Sequence, residues 1–169
     1  MYDDVLVPTD GNQHMARVID DAVDLAALCE ATVHALHAVD EDAYRSIPEE
    51  ARASVRARLH EDGEDATQTV AERALEADLE VVREVRTGPP AHVITSYAIE
   101  TEIDLIVMGT NGRTGYERYL LGSVAERVVR SAPMPVMTID LDGRTDAADL
   151  LERGLPEAVG SDSQDNSEQ

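Results

Sequence analysis

The 169-residue chain has no lysine, no phenylalanine and no tryptophan, and it has a single cysteine. Each absence removes a class of chemistry. Without lysine there is no G-x-x-x-x-G-K-[ST] phosphate loop. Cys29 alone rules out an intrachain disulfide and leaves no cysteine cluster for a metal; beside Ala26, Ala27 and Leu28 it reads as a small hydrophobe near a helix end. The histidines do not make up the deficit. His34 and His37 stand an odd number of residues apart on an expected strand and so face opposite ways, while His14, His60 and His92 fall on separate expected helices. No structural metal is expected. No apolar run approaches the roughly 18 residues of a membrane span, and no signal peptide opens the chain. A cytoplasmic protein is expected.

Positive charge is also scarce. All 14 basic residues are arginine, against 35 acids, for a net charge of -21. Residues 142–169 hold eight acids and two arginines, a net of -6, which leaves -15 on the rest. The acidity therefore belongs to the folded part as well as to the tail. A lysine-free acidic surface over a core of small apolar residues suits folding in concentrated salt, where repulsion is screened within a few ångströms. Such a surface repels nucleic-acid phosphates and anionic membranes, so neither is an expected partner.

What is present centres on Asp104 to Ser131. Leu105–Met108 has the length and composition of a fully buried strand. Gly109 ends it, a polar loop with Gly112 and Gly115 follows, and Gly122 and Ser123 open a helix with apolar Val124, Val128 and Val129. Strand, glycine-rich loop and helix N-terminus together present backbone N–H groups to a phosphate chain. Ser123-x-x-Glu126 also reads as a capping box that needs no ligand.

The remaining chain alternates strands and helices. Val5–Pro8 reads as a first strand, turned by Thr9-Asp10-Gly11 into a helix that Asn12 can cap. The apolar positions Met15, Val18, Ile19, Ala22, Leu25 and Leu28 would line one face of that helix. Thr32–Val39 is a second strand. Ser46-x-x-Glu49 with Pro48 reads as a capping box opening a helix through Val55 and Leu59. Gly63 interrupts that helix, which resumes through Val70, Ala74 and Leu75. Leu79–Val85 is a third strand; a helix with Val93, Ile94, Tyr97 and Ala98 follows Gly88-Pro89-Pro90; Met134–Ile139 is a fifth strand. This alternation predicts one parallel sheet with helices on both faces. Residues 1–141 form the expected domain, and 142–169 an acidic, largely disordered tail.

Gly109-x2-Gly112-x9-Gly122-Ser123 resembles the ATP-binding signature of the universal stress protein family. Pro8-Thr9-Asp10, Leu36-His37-Ala38-Val39-Asp40 and Pro135–Ile139 resemble that family's opening, its second-strand ending and its last strand. The resemblance implies an open five-stranded parallel α/β sheet of order 3-2-1-4-5, Rossmann-like and akin to the adenine nucleotide alpha hydrolases. It implies ATP as ligand, with a divalent cation, Mg or Mn, bridging the phosphates. Pro8, Thr9 and Asp10 would contact the adenosine, with Asp10 accepting from ribose hydroxyls. Ala38 would wall the adenine, and Met108 and Gly109 would pass beneath the ribose and phosphates. Asn111, which stands where histidine is common, and Gly112 and Arg113 would cover the phosphates. Gly122, Ser123 and Val124 would hold them at the helix N-terminus. Arg127 reads as a surface charge. The resemblance also implies a homodimer through Val136–Ile139. Two other readings are a nucleotide-free dimeric interaction module and an ATPase or phosphotransferase; hydrolysis is expected to be slow or absent.

Overall fold

The computed structural model describes residues 1–110 and 121–141. Within them lie five strands: β1 (Asp4–Pro8), β2 (Thr32–Val39), β3 (Val81–Thr87), β4 (Leu105–Gly109) and β5 (Val136–Ile139). The helices are α1 (Ala16–Cys29), α2 (Glu49–Glu76), α3 (Pro90–Glu100) and α4 (Ser123–Ser131). All strand pairs are parallel, and the sheet order is β3-β2-β1-β4-β5. The expected α/β sheet and its order are both observed.

Strand parity divides the core into two layers, because successive side chains point to opposite faces. Val5, Val7, Val33, Ala35, Leu105 and Val107 pack with α1 and α2, whereas Leu6, Leu36, Ile106 and Met108 pack with α3 and α4. The cores of β1, β2 and β4 are buried on both sides, which is why these segments read as continuous apolar runs, whereas the outer strands β3 and β5 stay partly exposed. Full burial of Leu6, Leu36 or Ile106 contributes about 2–3 kcal/mol apiece.

Several local expectations change. Gly63 does not interrupt the long helix; α2 runs unbroken for 28 residues. A glycine there costs about 1 kcal/mol relative to alanine. Close packing explains it: a Cβ on Gly63 would lie 2.7 Å from the His37 ring and 3.0 Å from Val85. Ser46 does not form a capping box, since α2 starts at Glu49 behind Pro48 and no side chain caps it. The Ile47 N–H instead donates back to the Tyr44 carbonyl, closing the turn before the helix. Leu28 and Leu75 are 81% and 57% exposed. At 3.6 residues per turn Leu28 falls outside the stripe of Val18, Ile19, Ala22, Val23 and Ala26 that α1 buries. Val129 is likewise exposed, while Ala125 and Val128 carry the burial of α4. The third strand begins two residues later than expected, at Val81, and the fifth at Val136. Residues 142–169, the expected acidic tail, lie outside the described residues.

The two strand histidines do face opposite layers. His34 is buried, with Nε2 3.0 Å from Asp4 Oδ1 and Nδ1 2.8 Å from the Tyr97 hydroxyl. A carboxylate only accepts, so Nε2 donates to Asp4 and Nδ1 accepts from Tyr97. Burial pushes the Tyr97 phenol up, which keeps it a donor. His34 thus ties β1 and β2 to α3.

At the same end of the sheet, Asp104 Oδ2 accepts from the Asp3 and Asp4 N–H groups at 2.8 and 3.0 Å. These two donors hold its carboxyl below the usual carboxylate range. A folded pKa below the unfolded one stabilises the fold above the unfolded value, and that contribution is lost as pH falls through the folded value. Asp104→Asn, which can still offer one amide oxygen to both N–H groups but lacks the negative charge they stabilise, is expected to lower the urea midpoint at neutral pH. It should also flatten the loss of stability below about pH 4. Parallel pH profiles for the two proteins would exclude this role.

Candidate nucleotide site

The chain leaves β1 toward α1 on one face and leaves β4 toward α4 on the other. Because β1 and β4 are neighbours, the two connections diverge and open a crevice beyond their carboxyl ends. Its floor and walls come from three stretches that are distant in sequence.

The first is the end of β1. Pro8 and Thr9 are buried, and the Thr9 N–H donates to the Leu36 carbonyl at 2.9 Å. The turn that follows is stitched locally. Thr9 Oγ1 accepts from the Gly11 N–H at 3.2 Å, and Asp10 Oδ1 accepts from the Asn12 N–H at 2.9 Å. Gly11 has φ +74°, a conformation that glycine adopts without strain. Asp10 is exposed at the rim. Asn12 caps a short 3-10 turn, Gln13–Met15, and α1 continues from it. Beside this end, Ala38 stands half-buried near the end of β2.

The second stretch is the end of β4. Met108 is buried and Gly109 half-buried, paired with Thr138 and Ile139 of β5. Gly109 has a packing reason of its own, since a Cβ would meet the Leu141 side chain at 2.9 Å. Thr110, not singled out from the sequence, joins the parts: its N–H donates to Ile139, and its carbonyl accepts from the Gly122 N–H.

The third is the start of α4. Gly122 is the N-cap residue, Ser123 is exposed at the first helical position, and Val124 is half-buried. Among the described residues no side chain caps this helix, so the Ser123–Glu126 capping box does not form. The bond from Gly122 to Thr110 starts the helix one residue before the position that box requires. The first N–H bonded within the helix is that of Glu126, to the Gly122 carbonyl at 2.8 Å. The N–H groups of Ser123, Val124 and Ala125 therefore carry the positive end of the helix dipole. Nine of the twelve sequence-predicted residues thus lie at the carboxyl ends of β1, β2 and β4 or at the start of α4. Asn111, Gly112 and Arg113 lie outside the described residues. Arg127 is exposed on α4.

One family model matches residues 1–140, that of the universal stress proteins. The chain belongs to the universal stress protein family. A universal stress protein of Methanocaldococcus jannaschii is 36% identical over 140 residues, covering 82% of this chain and 82% of that protein. The solved structure of a second protein of that archaeon, MJ0577, matches with a TM-score of 0.75 at 26% identity, over 87% of this chain and 99% of the other. A universal stress protein solved in complex with cAMP matches with a TM-score of 0.58 at 26% identity, over 83% and 98% of the two chains. The family thus includes a nucleotide-bound member of the same fold. Among the described residues no helix is long and apolar enough to cross a membrane, and no group of three or more His, Cys, Asp or Glu is arranged to hold a metal.

One contact escaped the sequence reading. The Thr9 carbonyl accepts from His37 Nδ1 at 2.8 Å. The signal was the strand register, which pairs Pro8 with Leu36 and so sets His37 beside Thr9. Parity alone does not contain that register.

Proposed function

We propose that the crevice binds an adenine nucleotide, ATP foremost, and that the protein acts as a nucleotide-dependent regulatory or protective stress protein. One observation carries this reading: the uncapped start of α4 lies at the topological switch point of the sheet, beside the glycine that ends β4 and the Thr9–Asp10 turn that ends β1. Uncapped N–H groups and a helix dipole favour an anion. In this reading Gly122, Ser123 and Val124 hold the phosphates, Met108 and Gly109 run beneath them, and Asp10 receives the ribose hydroxyls. Pro8, Thr9 and Ala38 border the adenosine, and Asn111, Gly112 and Arg113 close over the phosphates. ATP adds about four negative charges to a chain already at -21, so a divalent cation, Mg or Mn, accompanies it. Phosphoryl transfer needs a positioned nucleophile and cationic stabilisation of the transferring group. Asp10 is given to the ribose and Arg113 alone is given to the phosphates, so we assign slow or no hydrolysis.

Two further parts complete the proposal. β5 is the edge of the sheet, and Met137 on it is 42% exposed. Proteins tend to cover such an edge, so we assign a homodimer pairing Val136–Ile139 with its copy. The acidic surface we assign to a high-salt cytosol. One preparation tests the core of this reading. Protein purified in high salt is sedimented, then denatured, and the released nucleotide is identified by chromatography. The expected result is a dimer mass and near-stoichiometric ATP or ADP. Empty protein that also fails to bind added ATP with Mg2+ would favour an interaction module, and a monomer mass would refute the strand pairing.

A further inference from the structure

We propose that His37 is a positioning residue that holds the Thr9–Asp10 turn in its ligand-receiving shape from behind. This rests on the reading of the crevice as a nucleotide site. The ladder between β1 and β2 ends with Pro8 opposite Leu36, so the Thr9 carbonyl lies beyond the last paired residue. Thr9 is nonetheless buried, at 6% exposure. Its carbonyl needs a donor, and His37 Nδ1 supplies one at 2.8 Å.

The imidazole is itself held in place. On one side α2 passes so closely that Gly63 has no room for a Cβ, which would lie 2.7 Å from the ring. One turn further along α2, Ala66 backs the turn itself, 3.2 Å from where a Cβ on Gly11 would stand. Gly63 and Ala66 share a face at i, i+3 spacing. The imidazole and the Gly11 turn therefore rest on the same helix. A bare helix glycine, a strand histidine and a carbonyl outside the ladder are explained together by one task. That task fixes where Asp10, the next residue, presents its carboxylate.

The test combines a readout at the ring, one at the turn and one at the ligand. A carbonyl only accepts, so the neutral ring must carry its proton on Nδ1; nitrogen chemical shifts report the tautomer. His37→Leu should speed amide exchange at Gly11 and Asn12 by about tenfold or more, and weaken ATP–Mg2+ binding by a similar factor. His37→Asn, whose amide nitrogen can take the place of Nδ1, should restore both. Gly63→Ala keeps every hydrogen-bonding group and raises intrinsic helix propensity, yet should weaken binding by displacing the ring. It also serves if the leucine variant fails to fold. An Nε2–H tautomer, or exchange at the turn unchanged in both His37→Leu and Gly63→Ala, would overturn the proposal. Nucleotide affinity equal to wild type in both would overturn it while leaving the site reading intact. Faster exchange in a protein whose wild type binds no nucleotide would keep the positioning role and remove the site reading.

Discussion

Gly122→Val is expected to abolish ATP binding while leaving the fold in place. Gly122 has φ -56° and ψ 150°, an extended conformation that valine adopts readily. Backbone strain therefore does not require glycine here, in contrast to Gly11 at φ +74°. What a side chain at the N-cap position would do is stand between the first free N–H groups of α4 and an incoming phosphate. Hydrogen bonds to a charged group are worth about 1.5–3 kcal/mol each. Losing two of them weakens binding by roughly a thousandfold. The cost to the helix is smaller, because glycine at an N-cap exceeds a β-branched residue by only about 1 kcal/mol. Titration calorimetry with ATP and Mg2+ beside a thermal melt separates the two effects. Gly109 is a poorer probe, since a side chain there collides with Leu141 and confounds packing with binding. Affinity within about threefold of wild type in Gly122→Val would remove α4 from the site.

β1, β2 and β4 were readable because doubly buried strands are short apolar runs, and because Thr9-Asp10-Gly11 and Gly109 end strands with turn chemistry; the partly exposed outer strands β3 and β5 each begin two residues later than expected. The parity of His34 and His37 was readable for the same reason, and they do reach opposite layers. Other features depend on distances that only the folded chain contains. Local propensity marks Gly63 as a break, and the His37 ring packed against it is what makes it a helix residue. Leu28 is apolar, but at 3.6 residues per turn it falls outside the stripe that α1 buries, and its apolar character alone does not show this. The same holds at the site. The three stretches were each visible, but their convergence follows from the strand order 3-2-1-4-5, which came from family resemblance and not from periodicity. The Thr110 carbonyl that docks the start of α4, and the His37 ring beneath Thr9, are contacts of register. No local pattern encodes register where both faces of a strand are buried.

Raising KCl from about 0.1 M to about 1 M, which shortens the screening length from about 10 Å to about 3 Å, is expected to raise the melting temperature by roughly 10 °C or more. Two electrostatic effects oppose each other, and counting decides between them. Ion pairs such as Arg73–Asp20, Arg86–Glu100 and Arg83–Glu64 stabilise the fold. Salt weakens them, but exposed pairs are worth at most about 1 kcal/mol each. Residues 1–141 hold 27 acids and 12 arginines, so even with every one of those arginines paired 15 acids would remain unmatched. Two such charges about 10 Å apart repel by roughly 0.4 kcal/mol in water, and 15 of them form many such pairs on one small domain. The repulsion is therefore larger than what the ion pairs return, and screening it is a net gain. Potassium chloride is the proper salt for this test, because sulfate would stabilise the fold through exclusion from its surface. A second arm identifies the cause. Glu61, Asp62 and Asp65 lie exposed within a few residues of one another on α2. The combined Glu61→Gln, Asp62→Asn and Asp65→Asn variant should reach the wild-type melting temperature at lower KCl. A melting temperature that stays level or falls as KCl rises would mean that the acidic surface serves solubility alone. A rise that the triple variant does not shift would place the stabilising effect of salt elsewhere than in these charges.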